Sequence, residues 1–197
     1  MTKNIGIFSL TSALAVGVLM AKDAIETLAT VNVIGSSENV LGLSGSGAFL
    51  EAEDYQKKGL TNIQQILRKV PGVYIREEDG FGNFPNISLR GGDGTRSEKV
   101  TLMEDGILTA PAAYSAPSAY YSPRAGRMSG IEVLKGSSQI KYGPHTTGGV
   151  VNFLSTEIPS EETFYTRNTY GTYNTLLSQS YYGDTVQTAT GTFGYLL

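Results

Sequence analysis

Apolar residues fall at helical spacing in one stretch and at strand spacing in most others. Within Thr61–Val70, "TNIQQILRKV", Ile63, Ile66, Leu67 and Val70 share one helical face. Thr61 and Gln64 form a capping-box pattern at its start. Lys69 suits the dipole of its last turn, and Pro71-Gly72 ends it. Elsewhere the period is two. Val31 and Val33 alternate with Asn32, and Ile87 and Leu89 point the same way in "NISLRG". Val100, Leu102 and Glu104 line one face of "KVTLMEDG" before a turn at Asp105-Gly106. In "GIEVLKG", Ile131, Val133 and Lys135 oppose Glu132 and Leu134. Val73–Ile75 and Gly148–Ser155 read as two more strands. The middle of the chain is therefore a small α+β unit of short strands and a few helices.

The two ends differ from this middle. Lys3 precedes an uncharged, largely apolar run from Ile5 to Met20, then Ala21 and the charged pair Lys22-Asp23. That is the pattern of a secretory signal peptide ending at Ala21. A membrane anchor is the alternative, but the run is shorter than the roughly 20 residues a spanning helix needs. Ser36–Gly47 is rich in Gly and Ser and reads as a flexible linker. Phe164–Leu197 interleaves Tyr and Phe with Thr, Ser and Gly. Such weak alternation fits amphipathic strands of an outer-membrane barrel or an ordinary antiparallel sheet.

Composition narrows the chemistry. The 197 residues carry a formal charge of −3, so no basic field points to nucleic acid. With no cysteine and one histidine, disulfides, thiolate metal sites and His-rich zinc sites drop out. His145 lies in "KYGPHTTGGVVNF", between a Gly-Pro and a Gly-Gly pair, with no second ligand nearby in sequence. It reads as a structural or exposed polar residue. Glu77, Glu78 and Asp79 form an acidic run that reads as a solvated face rather than an acid–base pair. No Gly-rich run is followed by the Lys-Ser/Thr of a phosphate-binding loop. No catalytic residue, resident metal or cofactor is expected.

The ordered segments "ATVNV", "ILRKVPGV", "NISLRGGDGTRSEKVTLMEDGI", "MSGIEVLKG" and "KYGPHTTGGVVNF" resemble the plug domain of TonB-dependent outer-membrane receptors. The text from Arg96 to Phe153, including "APAAYSAP", is most similar to the ferric citrate receptors. The resemblance implies a small mixed-sheet plug domain with short helices, followed by the first few strands of an incomplete transmembrane β-barrel. It divides the chain into a signal peptide (1–21), a TonB box and linker (22–47), a plug (48–156) and the start of a barrel (157–197). Thr30, Val31, Asn32, Val33 and Ile34 match the box, which pairs as a strand with the periplasmic protein TonB. Ala29 stands where the family usually has an acidic residue. The box begins a few residues after the expected cleavage site, which leaves no room for an N-terminal signalling domain. In "YGP…GGVVN" the glycines are expected to permit positive φ and close packing.

The resemblance also places a ligand at the outer plug loops, Gly80–Phe84, Gly92–Ser97 and Ala110–Ser122. Arg90 matches a family arginine implicated in ligand binding or in holding the plug to the barrel. Arg96 and Tyr114 are further candidates, the arginines because they grip carboxylates bidentately. Phe81 and Ala116 stand where the ferric citrate receptor carries a threonine and a glutamine, so the ligand can be less rich in carboxylates, or a chelate of another metal such as nickel. A barrel of about 22 strands, each of about 9–11 residues, does not fit in Ser155–Leu197. The expected partners are therefore TonB, the metal chelate, the outer membrane and a missing barrel portion, and no nucleic acid. A standalone periplasmic chelate-binding module is the alternative reading.

Overall fold

In the computed structural model, residues 34–110, 119–142 and 148–197 are described. All lie within the compact unit Val31–Leu197. The expected signal peptide, box residues Thr30–Val33, Tyr114, Ala116 and His145 fall outside the described residues.

The most buried strand organises the plug. β1 (Ser46–Glu51) leads into α1 (Ala52–Lys57) and α2 (Ile63–Leu67). Then come β2 (Val73–Ile75), β3 (Ile87–Leu89), β4 (Thr101–Glu104), β5 (Ile107–Ala110), β6 (Met128–Lys135) and β7 (Val150–Ser155). Five of them form one mixed sheet in the order β1-β6-β7-β4-β5, while β2 and β3 pair separately. Only β4 and β7 run parallel; the other neighbours are antiparallel. β6 and β7 are inner strands and are buried almost continuously, on both faces.

The alternation expected for β6 assigns its two faces correctly. Ile131 and Val133 join α1, α2, β3 and β7 in the main core, with Ile66, Leu67, Ile87 and Phe153. Leu134 faces a second cluster with Ile34, Met103 and Val150, flanked by Val40, Leu43, Phe49 and Tyr142. Lys135 turns its ammonium to the Pro71 carbonyl at 2.7 Å. The helix face Ile63, Ile66, Leu67 and Val70 is buried as expected.

Its cap differs. Asn62, not Thr61, accepts the Gln64 N–H at 2.8 Å. The Gln64 amide does not reach back but donates to the Phe84 carbonyl at 2.7 Å. Gln64 is fully buried, so its polar head satisfies a loop instead of a helix end. The Gly/Ser-rich linker is also more regular than expected: Ser37–Gly42 forms a 3₁₀ turn, and Ser46 and Gly47 already pair with Lys135 and Leu134. Gly149 has φ +136°, and a side chain there would meet Leu89 and, at 2.8 Å, the Leu134 carbonyl. The "GGVVN" glycines thus let β7 enter the tightest part of the sheet.

Beyond Ser155 an antiparallel meander follows: β8 (Thr163–Gly171), β9 (Thr175–Thr188) and β10 (Gly191–Leu196). β8 alternates half-buried and exposed residues along its whole length. The half-buried face carries Tyr165, stacked on its cross-strand partner Tyr181 at 4.8 Å. Tyr165 Oη donates to Gln56 Oε1 and the Arg167 guanidinium to the Gln56 carbonyl, at 3.2 and 2.6 Å. Gln179 donates to the Gly126 carbonyl. The other face exposes Phe164, Tyr170 and Leu176. The meander docks on the plug through polar groups and does not close into a barrel. Among the described residues, no helix is long and apolar enough to cross a membrane.

Candidate functional site

Arg96 is the best-built candidate. It lies in the short 3₁₀ turn Thr95–Ser97, where Arg96 and Ser97 both have positive φ, at 48° and 56°. Such values are unfavourable for side-chain-bearing residues and persist only where surroundings over-determine them. Here the buried Asn86 side chain accepts the Arg96 N–H at 2.8 Å, and the Arg96 carbonyl accepts the Ala119 N–H at 2.7 Å. Ser97 Oγ, also buried, donates to the Pro85 carbonyl and accepts the Ile87 N–H. The turn is thereby fixed to the start of β3.

The guanidinium is fixed as firmly. It sits 4.5 Å from the Phe84 ring centroid and 5.7 Å from that of Tyr120, within cation–π range of both. Its Nη2 pairs with Glu78 at 2.7 Å. Its Nη1 is buried without a partner among the described residues. The Phe84 loop is itself shaped by Asp79, whose carboxylate accepts the Gly82 and Asn83 N–H groups. The acidic run is thus engaged rather than merely solvated: Glu77 pairs with Arg68 at 3.6 Å, Glu78 with Arg96, and Asp79 caps its own loop.

The other candidates are dispersed. Phe81 is on the same loop as Phe84 and is 74 % exposed. Arg90 follows β3 at its other end, with φ 56°. It lines a cleft of about 320 Å³ with Lys99, Gly136 and Gln139. Burial and the nearby Arg90 charge hold the Lys135 ammonium below its ordinary pKa. Asn86, which holds Arg96, precedes β3, and Arg90 follows it. The cleft lined by Arg90 does not include Arg96. Phe84 and Tyr120 lie inside the expected loops, but no sequence pattern marks them, because only the fold shows that both flank Arg96.

Of the expected box residues, Ile34 is described. It is buried, and its N–H donates to Glu132 Oε1 at 2.7 Å. The Gly35 N–H donates to the same oxygen at 2.9 Å. Glu132, fully buried, also accepts from Asn152 Nδ2 at 2.9 Å and Tyr142 Oη at 3.3 Å. Burial, then the Glu132 charge, pushes the Tyr142 hydroxyl pKa up. Asn152 Oδ1 in turn accepts the Gly106 N–H at the β4–β5 turn. A buried carboxylate thus anchors the point where the N-terminal segment enters the plug. The alternation in "GIEVLKG" put Glu132 opposite the helix-facing side but gave no hint of this partner. Among the described residues, no cluster of His, Asp or Glu is arranged to hold a metal ion.

Three solved receptors share this architecture. The ferric citrate transporter FecA in its unliganded form is 27% identical, with a TM-score of 0.65, over 78% of this chain and 25% of that one. The ferric yersiniabactin uptake receptor FyuA from Yersinia pestis is 22% identical, with a TM-score of 0.59, over 75% and 23%. The alcaligin outer-membrane receptor FauA from Bordetella pertussis is 16% identical, with a TM-score of 0.55, over 78% and 24%. The last two likenesses concern the fold alone. The chain spans about a quarter of the length of these receptors. Its β8–β10 meander resembles the start of a receptor barrel. The TonB-dependent Receptor Plug Domain matches residues 39–150, more than half of the chain, and the protein belongs to that family.

Proposed function

We propose that this chain is the plug portion of an outer-membrane receptor that takes up a ferric chelate and is driven by TonB through residues 30–34. The family match over residues 39–150 is the observation that carries this reading. In it, the loops around Arg96, with Phe81, Phe84 and Tyr120, face the ligand, and Tyr114 is a further ligand contact. Arg90, beside Lys135 and in a cleft with Gly92 and Lys99, holds the plug against the barrel wall. Transport needs a closed barrel around the plug, because open strand edges are not tolerated in lipid. The remaining strands come from further sequence or a separate chain. The working location is the outer membrane, and ferric citrate is the first ligand to test, given the likeness to FecA.

Cross-linking tests the TonB contact. Asn32→Cys in the full chain should cross-link to single-cysteine variants of the periplasmic part of TonB, and Lys57→Cys, on α1, should not. Equal yields from the two positions would remove the assignment of the box.

A further inference from the structure

We propose that Arg76 and Arg96 form a slot for one carboxylate of the incoming chelate, and that Glu78 fills this slot in the ligand-free chain and sets the affinity by competing for it. The proposal rests on the chelate-receptor reading above and deepens it. Glu78 lies between two guanidinium groups, one at each of its oxygens. Oε2 pairs with Arg96 Nη2 at 2.7 Å, and Oε1 faces Arg76 Nη2 at 4.0 Å. The second distance is too long for a hydrogen bond. Arg76 therefore lends its charge to Glu78 while its donors stay available, on a side chain that is 66 % exposed.

Both arginines hang from one support. Asn86 is fully buried; its side-chain oxygen accepts the Arg96 N–H at 2.8 Å, and its backbone carbonyl accepts the Arg76 N–H at 3.1 Å. Phe84 and Tyr120 steady the Arg96 guanidinium. Its Nη1 is buried, and Nη2 is the nitrogen that meets a carboxylate. Groups fixed in this way lose little freedom when a ligand arrives, and guanidinium donors suit carboxylate oxygens. Two cations sharing one anion repel each other once it leaves, so the slot calls for a replacement of the same charge. The neighbouring carboxylates are engaged elsewhere. Glu77 pairs with Arg68, Asp79 accepts N–H groups of its own loop, and Asp93 accepts the Thr95 N–H at 2.9 Å. Glu98 and Lys99, adjacent in sequence, offset each other in net charge. Glu78 alone serves both guanidinium groups, and it is an exposed residue in a bend of the chain. An exposed ion pair contributes little. A ligand carboxylate that draws Arg76 into a full hydrogen bond can therefore displace it.

Equilibrium dialysis of radioactive iron against the full chain in detergent, with protein-free micelles as the blank, tests the competition. The probes are ferric citrate, which is anionic, and ferric tris(acetohydroxamate), which is neutral and has no carboxylate. Arg96 is left intact, because its turn is built into the start of β3. Glu78→Gln keeps the shape and an acceptor for Arg96 but removes the competing charge; it should raise the affinity for citrate about fivefold, the size of one exposed ion pair. Arg76→Gln should lower it by about the same factor. Neither change should move hydroxamate binding by more than about twofold. Citrate affinity that falls or stays level in Glu78→Gln, that is indifferent to Arg76→Gln, or that shifts in step with hydroxamate overturns the slot while leaving the chelate reading standing. So does binding of hydroxamate without any binding of citrate. Binding of neither complex to any of the three chains overturns both.

Discussion

Glu132 concentrates more polar partners than any other buried side chain described above. It gathers two backbone N–H groups, an amide and a phenol into one place inside the sheet. Glu132→Ala leaves those donors buried without an acceptor, which costs about 3 kcal/mol. Urea unfolding should show the loss, and hydrogen exchange at Ile34 and Gly35 should quicken well before exchange in β6. Tyr55 supplies a second test. Its hydroxyl is buried and donates to the Met128 carbonyl at 2.9 Å, and burial raises its pKa above the ordinary 10.0. The folded state then holds a proton that the unfolded chain releases, so this contribution is full below pH 10 and declines as pH rises further. Tyr55→Phe should flatten that decline in alkaline unfolding curves, while lowering neutral-pH stability by about 1 kcal/mol.

At the scale of elements, apolar spacing was readable wherever burial set it. The helix face Ile63–Val70 and the two faces of β6 follow from period alone, because a one-residue slip would bury Glu132 and Leu134 on the helix side. Polar roles were less readable. Thr61-x-x-Gln64 has the letters of a capping box, yet Asn62 caps and Gln64 serves the Phe84 loop. Asn62→Ala should therefore cost about 1 kcal/mol, whereas Thr61→Ala should change stability by less than about 0.5 kcal/mol. Equal effects in thermal unfolding would restore the box. The Arg96 site was legible only as loops. Its strained turn depends on Asn86, and its rings come from segments about 12 and 24 residues away in sequence, so no local pattern announces them.

For the whole molecule, the decisive contrast is between a plug with filled cores on both sheet faces and a meander with one face open. Phe164 and Tyr170 on β8 and Phe193 on β10 stay exposed on strands whose outer edges are unpaired among the described residues, and Leu176 is exposed on β9 between them. Exposed strand edges beside apolar side chains invite association. The full chain should form large assemblies in plain buffer and become disperse in mild detergent, as read by size-exclusion chromatography with light scattering. A monodisperse monomer without detergent would contradict this account of the meander. The sheet order carries one more consequence. β7 lies between β6 and β4, although it is the last of the five strands to be synthesised. Until Ser155 has emerged, β1-β6 and β4-β5 are two hairpin-like pieces with no strand to join them. The plug therefore has no folded intermediate with an intact sheet. Its sheet closes late, when β8 is the next strand to be made.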